Sequence, residues 1–280
     1  MTSPNPDHAW RLTLTLLGIG GAFDADLGLA NTNALVEIFE GQALRQRLLI
    51  DCGHTCGRQL HHLGLTYKDI DAVLITHAHG DHIDGLEVAG YKNFFLYQHR
   101  AALISPAPIL EQLWQSLAPK MQCLQLAPGV VSQADLSSYF DPRPCGDHRG
   151  GEATLIEGAL RVRFVAVPHV EGMAAFALLF SFGPDPQAPT LRWSGDTTFE
   201  PGGPLFADLS AERGDRVFHD CSFMPRYEAT VHTHLDELMT LPEATRPLVA
   251  LVHHGKVTQG VERRGDMEVC QPLQQFTWSW

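Results

Sequence analysis

Alternating apolar and polar residues, separated by glycine-rich turns, dominate the first half of the chain. Alternation and compact apolar runs predict strands over 11–19, 33–39, 47–51 and 71–76. Apolar residues at helical spacing predict helices over 57–63, 83–96 and 109–117. Residues 118–151 are rich in proline, glycine and serine, so we expect loops there around one or two short strands.

In the second half of the chain, as in the first, short predicted strands are followed by tight turns. The pattern predicts strands over 159–167, 174–182, 190–194, 217–221 and 248–252. A short helix is expected at 235–239, and residues 276–280 are an edge strand or a packed tail. Strands and helices in both halves, without a linker, predict one α/β domain of two packed sheets. We expect this domain to span residues 1–280, with a cap-like insert at about 90–147.

Charge and composition limit the classes of partner and the location that we expect for the chain. The 280 residues include 32 acidic and 20 basic side chains, a net charge of −12, which argues against binding nucleic-acid backbone. The longest later apolar stretch, 173–182, has about half the ~20 residues of a membrane span, so we expect no membrane segment. With no signal peptide and no disulfide framework, a cytoplasmic location is expected, with Cys52 and Cys56 as thiols.

The densest chemical signal is a histidine cluster directly after the strand at 71–76. His77, His79, Asp81 and His82 fall within six residues, and alternate residues of an extended chain share a face. If the chain turns at Gly80, all four side chains can face one cavity. Neutral imidazole and carboxylate are common metal ligands, so this motif indicates a metal site.

Further candidate ligands follow later strands. Each is weak alone, but the ordered set is stronger. The candidates at strand ends are His169, Asp196, His219, Asp220, His253 and His254.

Together these motifs resemble the metallo-β-lactamase superfamily of binuclear hydrolases. The resemblance rests on HxHxDH at 77–82, on His169, on the Ser-Gly-Asp-Thr motif at 194–197 and on the strand that ends at His253. The glycine-rich start at 17–21 and the strand at 49–53 resemble the opening of the same family. The resemblance implies an αββα sandwich, in which two mixed sheets are flanked by helices and metals lie at the edge between the sheets.

The resemblance also implies a ligand set for two divalent metal ions. It assigns His77, His79 and His169 to one ion, and Asp81, His82 and His253 to the other. Asp196 would bridge them. Two adjacent ions lower the pKa of a bound water and stabilise charge in a displacement, which is hydrolytic chemistry. Mixed imidazole and carboxylate donors favour zinc, with manganese and iron as alternatives.

The last ligand has a neighbour that competes with it. His253 and His254 are adjacent and would face opposite ways in a continuing strand. We choose His253 because the family's last ligand ends an apolar strand, and we expect His254 to orient a ligand or line the entrance.

Two motifs separate the chain from lactamases. His219-Asp220-Cys221 and His232-Thr233-His234 resemble the branch that contains ribonuclease Z and cyclic-nucleotide phosphodiesterases. In that branch a histidine protonates the leaving oxygen. We assign this catalytic role to His232, oriented by Asp220, with Asp81 also in the catalytic set and His234 as the alternative acid.

The predicted function is therefore hydrolysis of a small phosphodiester or cyclic nucleotide. Hydrolysis of a lactone, thioester or β-lactam is one alternative, and a metal-bound accessory protein of a biosynthetic pathway is another. An RNA-processing nuclease is disfavoured because basic residues of the insert are scattered and no basic arm is present. The aromatic side chains of the insert are expected to pack as core, and they leave a homodimer open.

Overall fold

Two large β-sheets form the body of the molecule. The structure, a computed structural model, describes residues 10–23, 28–183, 189–224, 231–255 and 263–280. The strands are β1 (Trp10–Gly18), β2 (Asn33–Glu40), β3 (Ala43–Ile50), β4 (Ala72–Leu74), β5 (Ala102–Ser105), β6 (Cys123–Ala127), β7 (Val130–Gln133), β8 (Asp141–Pro144), β9 (Gly146–Asp147), β10 (Gly150–Ile156), β11 (Leu160–Ala166), β12 (Phe176–Phe182), β13 (Pro189–Trp193), β14 (Arg216–Asp220), β15 (Val249–Val252), β16 (Arg263–Arg264), β17 (Met267–Val269) and β18 (Gln275–Ser279).

A few helices flank the sheets. They are α1 (Cys56–His62), α2 (Gly80–Ile83), α3 (Gly85–Lys92), α4 (Ala107–Met121), α5 (Leu136–Tyr139) and α6 (Leu235–Leu238). Shorter turns of 3-10 helix lie at Tyr67–Asp69 and Arg246–Leu248, and a π-helical turn lies at Asn93–Tyr97. Among the described residues, no helix is both long and apolar enough to cross a bilayer.

The sheet orders give the two-layer architecture expected from the sequence. The first sheet runs β18-β1-β2-β3-β4-β5-β8 and the second β16-β17-β15-β14-β13-β12-β11-β10-β9, with β6 and β7 as a separate pair. In β12, Phe176, Leu178 and Phe180 face the core between the sheets, while Ala177 and Leu179 belong to a second apolar cluster. Alternate residues of β12 therefore point to opposite faces, and both faces are buried because α6 and nearby loops cover the outer one.

The two sheets meet at one edge, and that edge carries the predicted ligands. Strands β3 and β4 are parallel, as are β13, β14 and β15, so their carboxyl ends emerge together. After β4 the chain crosses to the second sheet, where the Phe176 N–H donates to Thr76 O (3.0 Å) and His77 pairs with Ala175. The residues that follow these strands therefore converge.

Three differences from the predicted elements have local causes. The single helix expected over 83–96 is replaced by α2, α3 and the π-helical turn; Gly85, which starts α3, packs so closely on the backbone of Cys52 and Gly53 that any side chain there would collide with it. Strand β10 was not predicted, since it starts with two glycines and is only half-buried. Strand β5 was also not predicted, because it is short and is followed directly by a proline. Residues 90–147 contribute β5 and β8 to the first sheet, and the β6–β7 hairpin lies outside it.

The C-terminal strand closes the sandwich. Strand β18 pairs with β1 at the edge of the first sheet, while Phe276 and Trp278 lie against Phe218 of the second. Trp280 stacks on Phe182, with ring centroids 4.7 Å apart. The C-terminal segment is thus an edge strand of the first sheet whose aromatic side chains pack against the second sheet.

Candidate metal centre

The first cluster gathers three imidazoles and one carboxylate. The Nδ1 atom of His79 lies 3.1 Å from Nε2 of His77 and 3.1 Å from Nε2 of His169. Asp196 Oδ2 lies 3.5 Å from His77 Nε2 and 3.9 Å from His169 Nε2. All four donor atoms lie within 4.8 Å of one another, as the ligands of one ion do.

The second cluster shares Asp196 with the first. His82 Nε2 lies 3.3 Å from Asp196 Oδ1 and 3.3 Å from Asp81 Oδ2, and His253 Nδ1 lies 3.2 Å from Asp196 Oδ1. The donors of Asp81, His82, Asp196 and His253 again fall within 4.8 Å of one another. One Asp196 oxygen faces each cluster, which is the geometry of a bridging carboxylate.

Asp51 orients one ligand in each cluster. Its Oδ2 atom accepts from Nδ1 of His82 (2.8 Å) and from the Thr76 hydroxyl (2.8 Å). Since that hydroxyl donates to Asp51, it accepts from Nδ1–H of His77 (3.1 Å). Both imidazoles therefore have Nδ1 engaged, which leaves Nε2 as the atom of each ring that can bind an ion.

The His169 tautomer is set from the opposite side. Its Nδ1 atom donates to the Val231 carbonyl oxygen (2.9 Å), which can only accept, so Nε2 faces His79 as a lone pair. Burial lowers the pKa of His77, His79 and His169, which keeps these imidazoles neutral. Neutral imidazole is the form that binds a metal.

The second cluster has buried polar atoms that protein groups do not satisfy. Among the described residues, His82 Nε2, Asp196 Oδ1 and His253 Nδ1 are buried without a hydrogen bond. Burial opposes charge on His82, but Asp196, Asp51 and Asp81 outweigh it and raise the pKa. Unsatisfied buried donors and acceptors are costly, so their convergence fits a bound cation. The nitrogen and oxygen donors of both clusters suit divalent transition metals.

The backbone separates His253 from His254. Strand β15 ends at Val252, and His253 adopts a left-handed conformation, with φ of 54°. This turn, uncommon for a residue other than glycine, directs His253 into the second cluster. His254 leaves the cluster: its N–H donates to Ile19 O (2.9 Å), and its ring lies 5.3 Å from Phe223.

A histidine–aspartate pair lies beside both clusters. His232 Nδ1 is 2.9 Å from Asp220 Oδ2, and its ring centroid is 5.0 Å from that of His253 and 5.4 Å from that of His169. Burial alone would lower the pKa of His232, but Asp220 outweighs it and raises the pKa to about 9. Asp220 is itself fully buried and accepts from the Thr197 N–H (3.1 Å). The donor atoms of Asp220, His232 and His253 also lie within 4.8 Å of one another, so the pair adjoins the second cluster through His253.

Comparison with known proteins places the chain in a family. A family model described as anti-Pycsar protein Apyc1 matches residues 12–276. The anti-Pycsar protein Apyc1 of Saccharibacillus brassicae is 33% identical over 264 residues, which cover 93% of this chain and 97% of that protein. The chain belongs to the Apyc1 family.

Solved structures give the fold of this Apyc1-family chain. The metallo-β-lactamase fold protein YhfI from Bacillus subtilis matches with a TM-score of 0.65 at 15% identity, over 96% of this chain and 100% of that one. Unliganded yeast PDE1 matches with a TM-score of 0.56 at 13% identity, over 89% of each chain. The predicted fold, an αββα sandwich of the metallo-β-lactamase type, is confirmed.

Two further histidines of the Apyc1-family chain lie outside the clusters. His219 is buried, donates from Nδ1 to the Asp220 carbonyl oxygen (2.7 Å) and stacks on Phe206. His234 precedes α6, and its N–H donates to Glu237 Oε2 (2.9 Å). Neither residue belongs to a candidate metal cluster among the described residues, whereas every predicted ligand does.

Asp51 is a candidate site residue that was not predicted from the sequence. In the sequence Asp51 stands out only as part of a strand motif, yet it is fully buried and accepts three hydrogen bonds. Its φ of 59° turns the chain at the end of β3. The available signal was an acidic residue directly after a buried apolar strand, since candidate ligands also lie a few residues after the ends of β4 and β13.

Proposed function

We propose that this chain is a binuclear metal-dependent phosphodiesterase that acts on a small phosphodiester, such as a cyclic nucleotide. The observation that carries the proposal is the His232–Asp220 pair, whose imidazole lies against His169 of one cluster and His253 of the other. A proton donor over two ion sites is the arrangement that phosphodiester cleavage needs, since the leaving oxygen must be protonated.

The residues divide into ion holders and a proton donor. His77, His79 and His169 would hold one ion, Asp81, His82 and His253 the other, and Asp196 both. When bound, a pair of divalent cations activates water and offsets the charge of the phosphate. We propose zinc, because the donors are imidazole and carboxylate, and metal analysis would distinguish it from manganese and iron.

His232 would deliver the proton from its second nitrogen. Its Nδ1 atom is engaged by the Asp220 carboxylate, so the transferred proton must leave from Nε2. Asp220 fixes the ring orientation and stabilises the imidazolium before transfer. About a third of the His232 side chain is exposed, so this group can meet a substrate that enters from solvent.

A small, anionic substrate fits the rest of the chain better than RNA. The net charge of −12 leaves long-range attraction for a polyanion weak, while a single phosphate can be held by the centre itself. We therefore propose a small-molecule substrate, no nucleic-acid or membrane partner and a cytoplasmic location. Relatives carry the name anti-Pycsar protein Apyc1, and phosphodiester hydrolysis is the activity that we propose for this member of the family.

The test compares phosphodiesters with carbon-centred substrates on metal-loaded protein. We expect cleavage of bis(p-nitrophenyl) phosphate and of a cyclic nucleotide, and no turnover of nitrocefin, a lactone or a thioester. Turnover of the carbon-centred substrates alone would replace the proposal by a lactonase or thioesterase function. Bound metal without any turnover would favour an accessory protein.

Variants of two histidines locate the proton donor. His232→Gln should lower kcat on a cyclic nucleotide by about 10²–10⁴-fold, the usual contribution of a general acid, while metal content stays unchanged. His234→Gln is the matched control, since His234 lies on the same segment but outside the clusters. Loss of metal in the first variant, or the larger loss of activity in the second, contradicts the assignment.

A further inference from the structure

Two exposed apolar side chains follow strands that end at the metal centre. Phe23 is 96% exposed and lies in the connection after β1, and Met224 is 61% exposed and lies just after β14. Strand β1 runs antiparallel to β2, which runs antiparallel to β3, so β1 and β3 end at the same edge. Both side chains therefore belong to segments that emerge beside the ligands.

The connection that carries Phe23 is anchored on both sides of the second cluster. At its start, Ile19 O accepts from the His254 N–H (2.9 Å), next to the ligand His253. At its end, Asn33 Oδ1 accepts from the Gly53 N–H (2.8 Å). Gly53 lies so close to the Asp81 carbonyl that a side chain there would collide with it. The anchors fix where this connection leaves the fold.

The segment that carries Met224 reaches the same place from the other sheet. Phe223, its neighbour, lies 5.3 Å from the His254 ring and 5.8 Å below the Arg264 guanidinium. The Met224 N–H donates to Ser222 Oγ (3.2 Å), and Ser222 N–H donates to Thr233 O (2.7 Å), beside His232. Both apolar side chains thus belong to segments that contact His254 or its immediate neighbours.

We propose that Phe23 and Met224 form an apolar rim that holds the base of a nucleoside cyclic phosphate while its phosphate lies at the metal centre. The proposal rests on the phosphodiesterase function. A cyclic nucleotide has one charged end and one flat aromatic end, and the two clusters account only for the charged end. An exposed phenyl ring and a flexible thioether, each on a segment that is anchored beside the centre, would supply the stacking surface that a base requires.

The test compares a substrate that carries a base with one that does not. Kinetics are measured on adenosine cyclic phosphate and on the abasic deoxyribose cyclic phosphate, for wild type, Phe23→Ala, Phe23→Trp and Met224→Ala. Phe23→Ala should raise KM for the adenosine substrate about tenfold, within the range for loss of one aromatic stack, and leave KM for the abasic substrate within about twofold. Phe23→Trp should restore the wild-type KM, and Met224→Ala should have the smaller effect.

Leu96→Ala is the matched control. Leu96 is an exposed apolar residue (68%) on the π-helical turn, and that turn ends at the other edge of the sheet, where His99 Nε2 lies 2.8 Å from the Ile70 carbonyl oxygen ahead of β4. It should leave both KM values unchanged. An equal change on the two substrates in Phe23→Ala, or none, overturns the rim while leaving the phosphodiesterase function standing. A wild-type protein that hydrolyses neither substrate refutes the function, and the rim with it.

Discussion

Replacement of Asp51 by asparagine should weaken metal binding although Asp51 belongs to neither cluster. The Asp51 carboxylate accepts three hydrogen bonds of 2.8 Å, from His82 Nδ1, Thr76 Oγ1 and Thr76 N. An amide keeps one acceptor oxygen and replaces the other by a donor. The least costly orientation keeps the oxygen toward His82 and leaves the Thr76 N–H without its acceptor.

The magnitudes follow from these bonds. A buried N–H without a partner costs about 1–3 kcal/mol, which we expect as the loss in free energy of unfolding. Loss of the negative charge makes His82 a poorer ligand, and groups that orient metal ligands typically contribute 10- to 100-fold to affinity. That loss corresponds to about 1.4–2.7 kcal/mol of binding free energy.

The assay is zinc competition against a chromophoric chelator, together with urea denaturation of the metal-free protein. Asp215→Asn is the matched control, because Asp215 is also buried and accepts from the Ser210 N–H (2.8 Å), but lies outside the clusters. It should lose stability and keep its zinc affinity. Zinc affinity of Asp51→Asn within about twofold of wild type would refute the reasoning, as would an equal loss in Asp215→Asn.

Three further predictions test the ligand set, the contribution of the C-terminal aromatic side chains to stability, and the pH dependence of stability that Asp135 causes. His253→Ala should reduce bound metal from about two ions per chain to about one, as measured by plasma emission, while His254→Ala keeps both. Trp278→Ala should lower the free energy of unfolding by about 2 kcal/mol in urea denaturation, because its half-buried ring packs against Phe182 and Phe218 of the second sheet and its Nε1–H donates to Gly214 O (2.9 Å). The hydroxyl of Ser137 lowers the pKa of Asp135. Asp135 caps α5 by accepting from the Ser138 N–H (3.0 Å), so Asp135→Ala should cost about 0.5–1 kcal/mol at neutral pH. That difference should disappear as the pH falls through the lowered pKa, since protonation removes the favoured carboxylate; a difference independent of pH contradicts this account.

The motif at 77–82 shows why part of the centre was predictable. An extended run followed by a helical turn at Gly80 places four donors by local geometry alone. The spacing of these four residues in the sequence is therefore enough to predict that their side chains lie close together. The fold class followed similarly, because the residues of β11 alternate in the sequence and its apolar positions Leu160, Val162 and Phe164 are the buried ones.

The tautomers and the last ligand could not be predicted in this way. The proton positions on His77 and His82 depend on Asp51, and that on His169 depends on Val231. These partners come from other strands and loops, so no spacing in the sequence reveals them.

The sequence by itself determined the two-sheet α/β class, the set of candidate ligands and the acidic surface, since these depend on residue type and local periodicity. Tertiary structure decided that His253 and not His254 enters the cluster, because a left-handed turn ends β15. It also decided that Asp51 orients the ligands and that Phe23 belongs to a segment leaving the fold beside them. These results depend on how the carboxyl ends of distant strands are brought to one edge, which only the register of the sheets sets.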